Sequence, residues 1–284
     1  MKVVFSFWSY KNSIDESFLG MAKISNFFAQ KNGYETILFC GEEDKDKFNN
    51  IPYNEIRILD KKLMSSFHKE MWSMSKIVAM TLMDEPYIMI DFDLLISKKL
   101  DEKNIVDISF FHKESWVLNL AELKNQWLLK IKPKPIKKDN DICIYNCAII
   151  AVKNVSLIKE CATYLINHFQ NLKYKQLDFL FTEVNFKKWN KNKPTLFWLP
   201  IWVIEQIWFP QIIKEKNGKM DVFYDIKNPL TLDPLIHGHY HAWGAKEDSS
   251  MIFRDFAEVL NYNINYEDIN FKFENLEQID KEIS

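Results

Sequence analysis

The chain has 284 residues and a mass of 33.9 kDa, with 47% hydrophobic and 27% charged residues. This is globular composition with material for one large core, so one α/β domain with a helical appendage is the expectation. The 37 basic and 39 acidic residues give a formal charge of −2, and the lack of a global positive field argues against nucleic acid as a partner.

Only Arg57 and Arg254 are arginine, so lysine supplies nearly all positive charge and bidentate clamps on phosphate are scarce. The six glycines, Gly20, Gly33, Gly41, Gly218, Gly238 and Gly244, fit neither G-x-G-x-x-G nor G-x-x-x-x-G-K-[ST]. Any bound phosphate must then be held by a metal, by side chains or by isolated backbone amides. Cys40, Cys143, Cys147 and Cys161 form no C-x-x-C pair. The start, MKVVFSFWSYKNS, soon turns polar and reads as no secretory signal. Reduced thiols and a cytoplasmic location are expected, with the inner membrane surface an equally good place to work. The apolar stretch Leu196–Ile213 is broken by Pro200, Glu205, Gln206, Pro210 and Gln211, which argues against a membrane span but leaves peripheral contact open.

In chain order, Lys2–Trp8 reads as a strand. A capping box, Ser13-Ile14-Asp15-Glu16, opens a helix that carries Phe18, Met21, Ala22, Ile24 and Phe28 at helical spacing and closes at Gly33, a left-handed cap. Thr36–Cys40 and Glu55–Asp60 read as strands and Ser65–Met83 as a helix. Pro86 precedes the strand Tyr87–Ile90, which runs into Asp91-Phe92-Asp93. This alternation predicts a mainly parallel sheet covered on both faces. Further on, strands are predicted at Asp107–His112, Cys143–Val152 and Met220–Tyr224. Helices are predicted at Trp116–Ile131, Val155–Phe169, Gln176–Val184, Ile201–Phe209 and Phe253–Leu260. The segment KIKPKPIKKDND reads as a basic loop, and Tyr266–Ser284 as an acidic terminal helix or tail.

Two segments carry chemistry. Ligands of parallel sheets sit beyond the carboxyl ends of the strands. Asp91 and Asp93 there can aim two carboxylates at one hard cation, Mg²⁺ or Mn²⁺, which completes its shell with phosphate and water. The bland alternative is that both cap the next turn. The second segment is His237-Gly238-His239-Tyr240-His241, which holds half of the six histidines. In extended backbone its alternate residues share one face, so the imidazoles are candidate ligands. Gly244 and Lys246 follow, a glycine for close backbone approach to an anion and a point charge for phosphate. The alternative is a polar loop with histidines stacked on Trp243.

An internal Asp-x-Asp followed by a late His-x-x-Gly-x-Lys resembles GT-A glycosyltransferases, in particular the group containing glycogenin, bacterial lipopolysaccharide galactosyltransferases and capsular sugar transferases. Phe7-Trp8-Ser9-Tyr10 is similar to that group's nucleotide-binding start, and Trp72-Ser73-Met74-Ser75-Lys76 to its donor-binding helix. Tyr145-Asn146-Cys147-Ala148 resembles its acceptor-side strand, and Glu205-Gln206 its acidic-Gln pair. Ala148 stands where that group has glycine, and the late motif is one residue shorter than in the glycogenin group.

The resemblance implies a Rossmann-like GT-A catalytic domain over residues 1–250 and a helical extension over 251–284. It implies a metal-dependent, retaining transfer of sugar from a nucleotide-sugar donor, with UDP favoured, to a glycan or other acceptor. Asp93 would bind Mn²⁺ or Mg²⁺ directly, and Asp91 would share the metal or contact the ribose. His241, or His239 in its place, would be the third ligand. Lys246 would neutralise the diphosphate beside Gly244. Phe7, Trp8, Ser9, Tyr10, Trp72, Lys76 and Phe92 would lie around the donor, and Asn146, Glu205 and Gln206 on the catalytic and acceptor side.

The residues themselves leave alternatives. Trp72 and Lys76 also fit a core tryptophan with a surface lysine. Asn146 also fits a strand residue that satisfies backbone groups. Glu205 among aromatics is costly unless paired, and is the candidate base should the reaction invert. Two other functions share part of the pattern: a scaffold that binds nucleotide or glycan without turnover, and a phosphohydrolase of the haloacid dehalogenase type. The latter places its Asp-x-Asp on the first strand, whereas here it follows about the fourth.

Overall fold

The computed structural model describes residues 1–9, 16–67, 71–96, 98–113, 133, 143–171, 204–224 and 239–241, the last three as backbone. The strands are β1 (Lys2–Ser6), β2 (Thr36–Cys40), β3 (Glu55–Ile58), β4 (Tyr87–Ile90), β5 (Leu94–Ile96), β6 (Ile108–His112), β7 (Ile149–Val152), β8 (Met220–Tyr224) and β9 (His239–His241). The α-helices are α1 (Glu16–Lys31), α2 (Lys61–Met64), α3 (Met74–Leu82), α4 (Val155–Gln170) and α5 (Phe209–Glu215). A π-turn, Ile204–Trp208, leads into α5.

Seven strands form one mixed sheet in the order β3-β2-β1-β4-β7-β6-β8, and β5 pairs with β9 in a separate ribbon. All strands of the large sheet run parallel except β7, which is antiparallel to both β4 and β6. The mainly parallel α/β architecture therefore stands, with one reversed strand that the hydropathy pattern did not reveal. Residues β-prone in sequence supply the buried strands: YIMI of β4 and IIAV of β7 are buried throughout, as a sheet covered on both faces requires.

Alternation along the first strand sorts side chains between the two covers. Val3 and Phe5 belong to the cluster that includes Ala22 and Ala29 of α1. Val4 and, just beyond β1, Trp8 belong to the cluster built by α3, α4 and α5. Helix α1 also holds the small ribbon, because the Ser25 hydroxyl donates to the Leu94 carbonyl at 2.6 Å.

Several boundaries differ from the sequence reading. The helix expected over Ser65–Met83 starts only at Met74, and a short helix, α2, precedes it. The strand expected over Cys143–Val152 begins at Ile149, and Tyr145 makes only an isolated bridge to Lys113. The helix expected to close at Phe209 instead continues to Glu215, because Pro210 lies in the first turn of α5, where its missing N–H costs nothing. The capping box at 13–16 falls outside the described residues except for Glu16. So do the helices expected at 116–131, 176–184 and 253–260, the basic segment apart from Pro133, and the extension at 251–284. No helix among the described residues is long and apolar enough to cross a membrane.

Gly33 has φ +78°, the left-handed conformation its place after α1 calls for. Its amide donates to the Gln30 carbonyl at 2.8 Å, and that of Tyr34 to Ala29 at 3.1 Å. An added Cβ meets nothing within 4 Å, so the penalty of a side chain there is backbone strain alone. Gly33→Ala is expected to lower stability by about 1 kcal/mol in urea unfolding, with no change in the slope of the transition.

Candidate functional site

Parallel strands β1, β2 and β4 end at the same sheet edge, and the reversed β7 begins there. The register Ile90↔Ile149 brings the lead-in to β7 beside the residues that follow β4. The Asp91 amide accordingly donates to the Ala148 carbonyl at 3.0 Å. A tight turn follows, closed by the Leu94 amide on the Asp91 carbonyl at 3.1 Å. Phe92 is the anchor of this turn. Its ring stacks on Phe5 at 5.3 Å and Phe48 at 6.1 Å, and packs against Phe18 at 5.0 Å. Asp91 keeps partial access to solvent, whereas Asp93 is buried.

Immediately after the turn, β5 pairs antiparallel with β9, in the register Leu94↔His241, Leu95↔Tyr240 and Ile96↔His239. The backbone of the late histidine segment thus lies one residue from Asp93 in register, although more than 140 residues separate the two in sequence. Asp91 and Asp93 are hard oxygen donors at the edge where ligands of such sheets bind. They suit a divalent cation that takes its remaining ligands from diphosphate and water. Among the described residues no three His, Cys, Asp or Glu side chains form a metal-binding group. Gly244, Lys246 and Tyr10 lie outside the described residues.

Lys76 is a buried cation of the site. Its ammonium pairs with Asp91 Oδ1 at 2.5 Å and with Glu205 Oε1, and donates to the Cys147 carbonyl at 3.2 Å. The side chains of Lys76 and Glu205 are only 6% and 8% exposed, against 24% for Asp91, so the trio runs from the interior out to the edge. Burial favours the neutral amine, but Asp91 and Glu205 outweigh it and hold Lys76 protonated, above the usual lysine range. The core-tryptophan, surface-lysine alternative is inverted: Lys76 is buried and Trp72 is 37% exposed. The reason is the late start of α3. Trp72 lies in the turn before it, so the four-residue phase linking the two positions does not apply.

Glu205 and Gln206 sit on the π-turn, an irregularity that recurs at functional sites. The turn is stitched to the lead-in of β7: the Tyr145 amide donates to the Gln206 carbonyl at 3.2 Å, and the Cys147 thiol to the Glu205 carbonyl at 3.5 Å. The Gln206 Oε1 atom is buried and accepts no hydrogen bond among the described residues. Asn146 is buried, and its Oδ1 accepts from the Ala148 amide at 2.9 Å, an Asx-type contact that shapes the lead-in to β7.

Of the residues expected around a donor, Phe7 packs its ring on Phe18 at 5.0 Å and Phe48 at 5.3 Å, within the cluster that anchors Phe92. Trp8 is buried on the opposite face. The Ser9 amide donates at 3.0 Å to Asp44 Oδ2. Asp44 is fully buried, pairs with Lys47 at 3.1 Å, and fixes the segment after β1; sequence reading missed it. The available signal was an acid three residues after Gly41, at the carboxyl end of β2.

No family profile matches the chain, and no curated protein does. Among solved structures, the PaToxG glycosyltransferase is 15% identical with a TM-score of 0.41, over 99% of this chain and 83% of that one. The galactosyltransferase LgtC, solved in complex with donor and acceptor sugar analogs, is 12% identical with a TM-score of 0.40, over 93% of this chain and 97% of that one.

Lys76→Met leaves the Asp91 and Glu205 carboxylates without their cation. It is expected to destabilise the fold by roughly 3–5 kcal/mol in urea unfolding at neutral pH.

Proposed function

We propose that this chain is a divalent-metal-dependent glycosyltransferase that uses a nucleotide-sugar donor, with UDP the favoured nucleotide, and retains the anomeric configuration. The observation that carries this reading is the pairing of β9 with β5. It sets the histidine segment against the Asp91–Asp93 turn at the carboxyl edge of the sheet. Asp93 and Asp91 would hold Mg²⁺ or Mn²⁺ together with His241, and the following Gly244 and Lys246 would meet the diphosphate. The group, when bound, supplies electrostatic stabilisation of the charge that develops on the leaving nucleoside diphosphate.

The chain's composition supports that division of labour. It lacks glycine-rich phosphate loops and has two arginines, so few groups besides lysine can face a diphosphate. Phe92, held by its aromatic neighbours, fixes the turn that presents both aspartates. Ser9, tied to Asp44, fixes the segment after β1 on the nucleotide side. Asn146, Glu205 and Gln206 border the same edge from the β7 side, where a donor sugar and an acceptor would meet. A retaining front-face transfer asks for no protein base, which suits a site whose inner glutamate is committed to a lysine. The absence of any long apolar helix among the described residues is compatible with an enzyme acting from solution or on a membrane surface.

Thermal unfolding with nucleoside diphosphates and sugar nucleotides, with and without Mn²⁺, tests the assignment. One diphosphate is expected to raise Tm only when Mn²⁺ is present. Asp93→Asn should abolish that metal-dependent shift and reduce donor turnover by at least about 100-fold, on the scale of several kcal/mol for a metal site. A folded protein with no metal-dependent shift for any nucleotide would overturn the proposal. Binding without donor consumption would favour a scaffold that has lost turnover.

A further inference from the structure

The Lys76 contacts bear on a question that the glutamate's position in the sequence leaves open: whether Glu205 moves a proton. A general base needs a free lone pair within reach of the substrate. Glu205 turns Oε1 to a buried ammonium that is itself shared with Asp91 and with the Cys147 carbonyl. Its exposure is 8% at the side chain, whereas Asp91, on the other side of the same ammonium, is three times as exposed. The glutamate is therefore the inner end of the trio and Asp91 the outer end. Backbone contacts hold both ends. The π-turn that carries Glu205 is tied to Tyr145 through the Gln206 carbonyl and to Cys147 through the Glu205 carbonyl, and Asp91 is held by its amide on Ala148.

We propose that Lys76 and Glu205 are positioning residues: Glu205 orients the Lys76 ammonium, the ammonium fixes the Asp91 carboxylate by one oxygen at the sheet edge, and Glu205 takes no proton in the reaction. The inference rests on the transferase reading for what happens at Asp91, but the buried coupling stands apart from it. Removing one charge of a buried set leaves the other uncompensated, while removing both replaces the pair by apolar contact. The two positions must then be strongly non-additive.

The test uses the full-length chain in four forms: the parent, Lys76→Met, Glu205→Met and the double variant. In thermal unfolding, the double variant is expected to melt above Lys76→Met, so that the second substitution restores part of what the first removed. Additive losses would overturn the proposed coupling of Lys76 and Glu205. Glu205→Gln keeps an oxygen for Lys76 and provides the second measurement. With an active donor, it is expected to lower kcat by no more than about tenfold and leave the acidic limb of the pH–rate profile in place. Loss of about 10²–10⁴-fold together with that limb is the signature of a base and would overturn the assignment. If no donor is turned over by the parent, the transferase reading fails while the unfolding cycle still decides the coupling. If sugar is transferred and the cycle is additive, the coupling fails and the transferase reading stands.

Discussion

An ammonium buried in a protein has to be compensated, and Lys76 meets this with Asp91 outward and Glu205 inward. Three separate parts of the chain are committed by that requirement: a helix, the turn after a central strand, and a π-turn more than 110 residues further on. Each brings one charge, and the two buried ones, Lys76 and Glu205, are costly at that depth without a partner. The edge of the sheet is thereby defined electrostatically as well as by hydrogen bonding. The Asp91 carboxylate, which faces outward, is held through the Lys76 ammonium by the Glu205 carboxylate, which faces inward.

The reversed strand β7 makes this possible. A parallel strand beside β4 would enter from the opposite edge, and its lead-in would lie far from Asp91. Running antiparallel, β7 starts where β4 ends, so Asn146, Cys147 and Ala148 border the Asp91 turn directly. The same edge receives the end of β1 and, through Asp44, the residues after β2. The segment after β1 and the lead-in to β7 therefore approach from the two flanks of β4, and the Asp91–Asp93 turn lies between them.

Anchoring and exposure are divided between neighbouring residues within that turn. Phe92 is packed among Phe5, Phe18 and Phe48, which leaves the aspartates on either side little freedom. Asn146 behaves similarly: its side chain is engaged with the backbone of its own segment, so it shapes the edge through the path of the chain. Phe7 and Trp8 go into the two covers of the sheet. Most rings of a protein this size must pack the core.

By itself the sequence determined the elements whose signals are local. The buried strands β2 and β4, the strand β8, the left-handed close at Gly33 and the extent of α4 all follow from hydropathy runs and turn chemistry over a few residues. The placement of Asp91 and Asp93 beyond a strand end was legible for the same reason. Strand direction was not, because an apolar run reads the same in both senses and only its neighbours settle it. Nor was the partner of Lys76: Glu205 looked costly among its aromatic neighbours, and nothing local named the ammonium that balances it. The pairing of β9 with β5 was likewise decided by tertiary structure, since backbone hydrogen bonds between distant segments leave no trace in side-chain pattern.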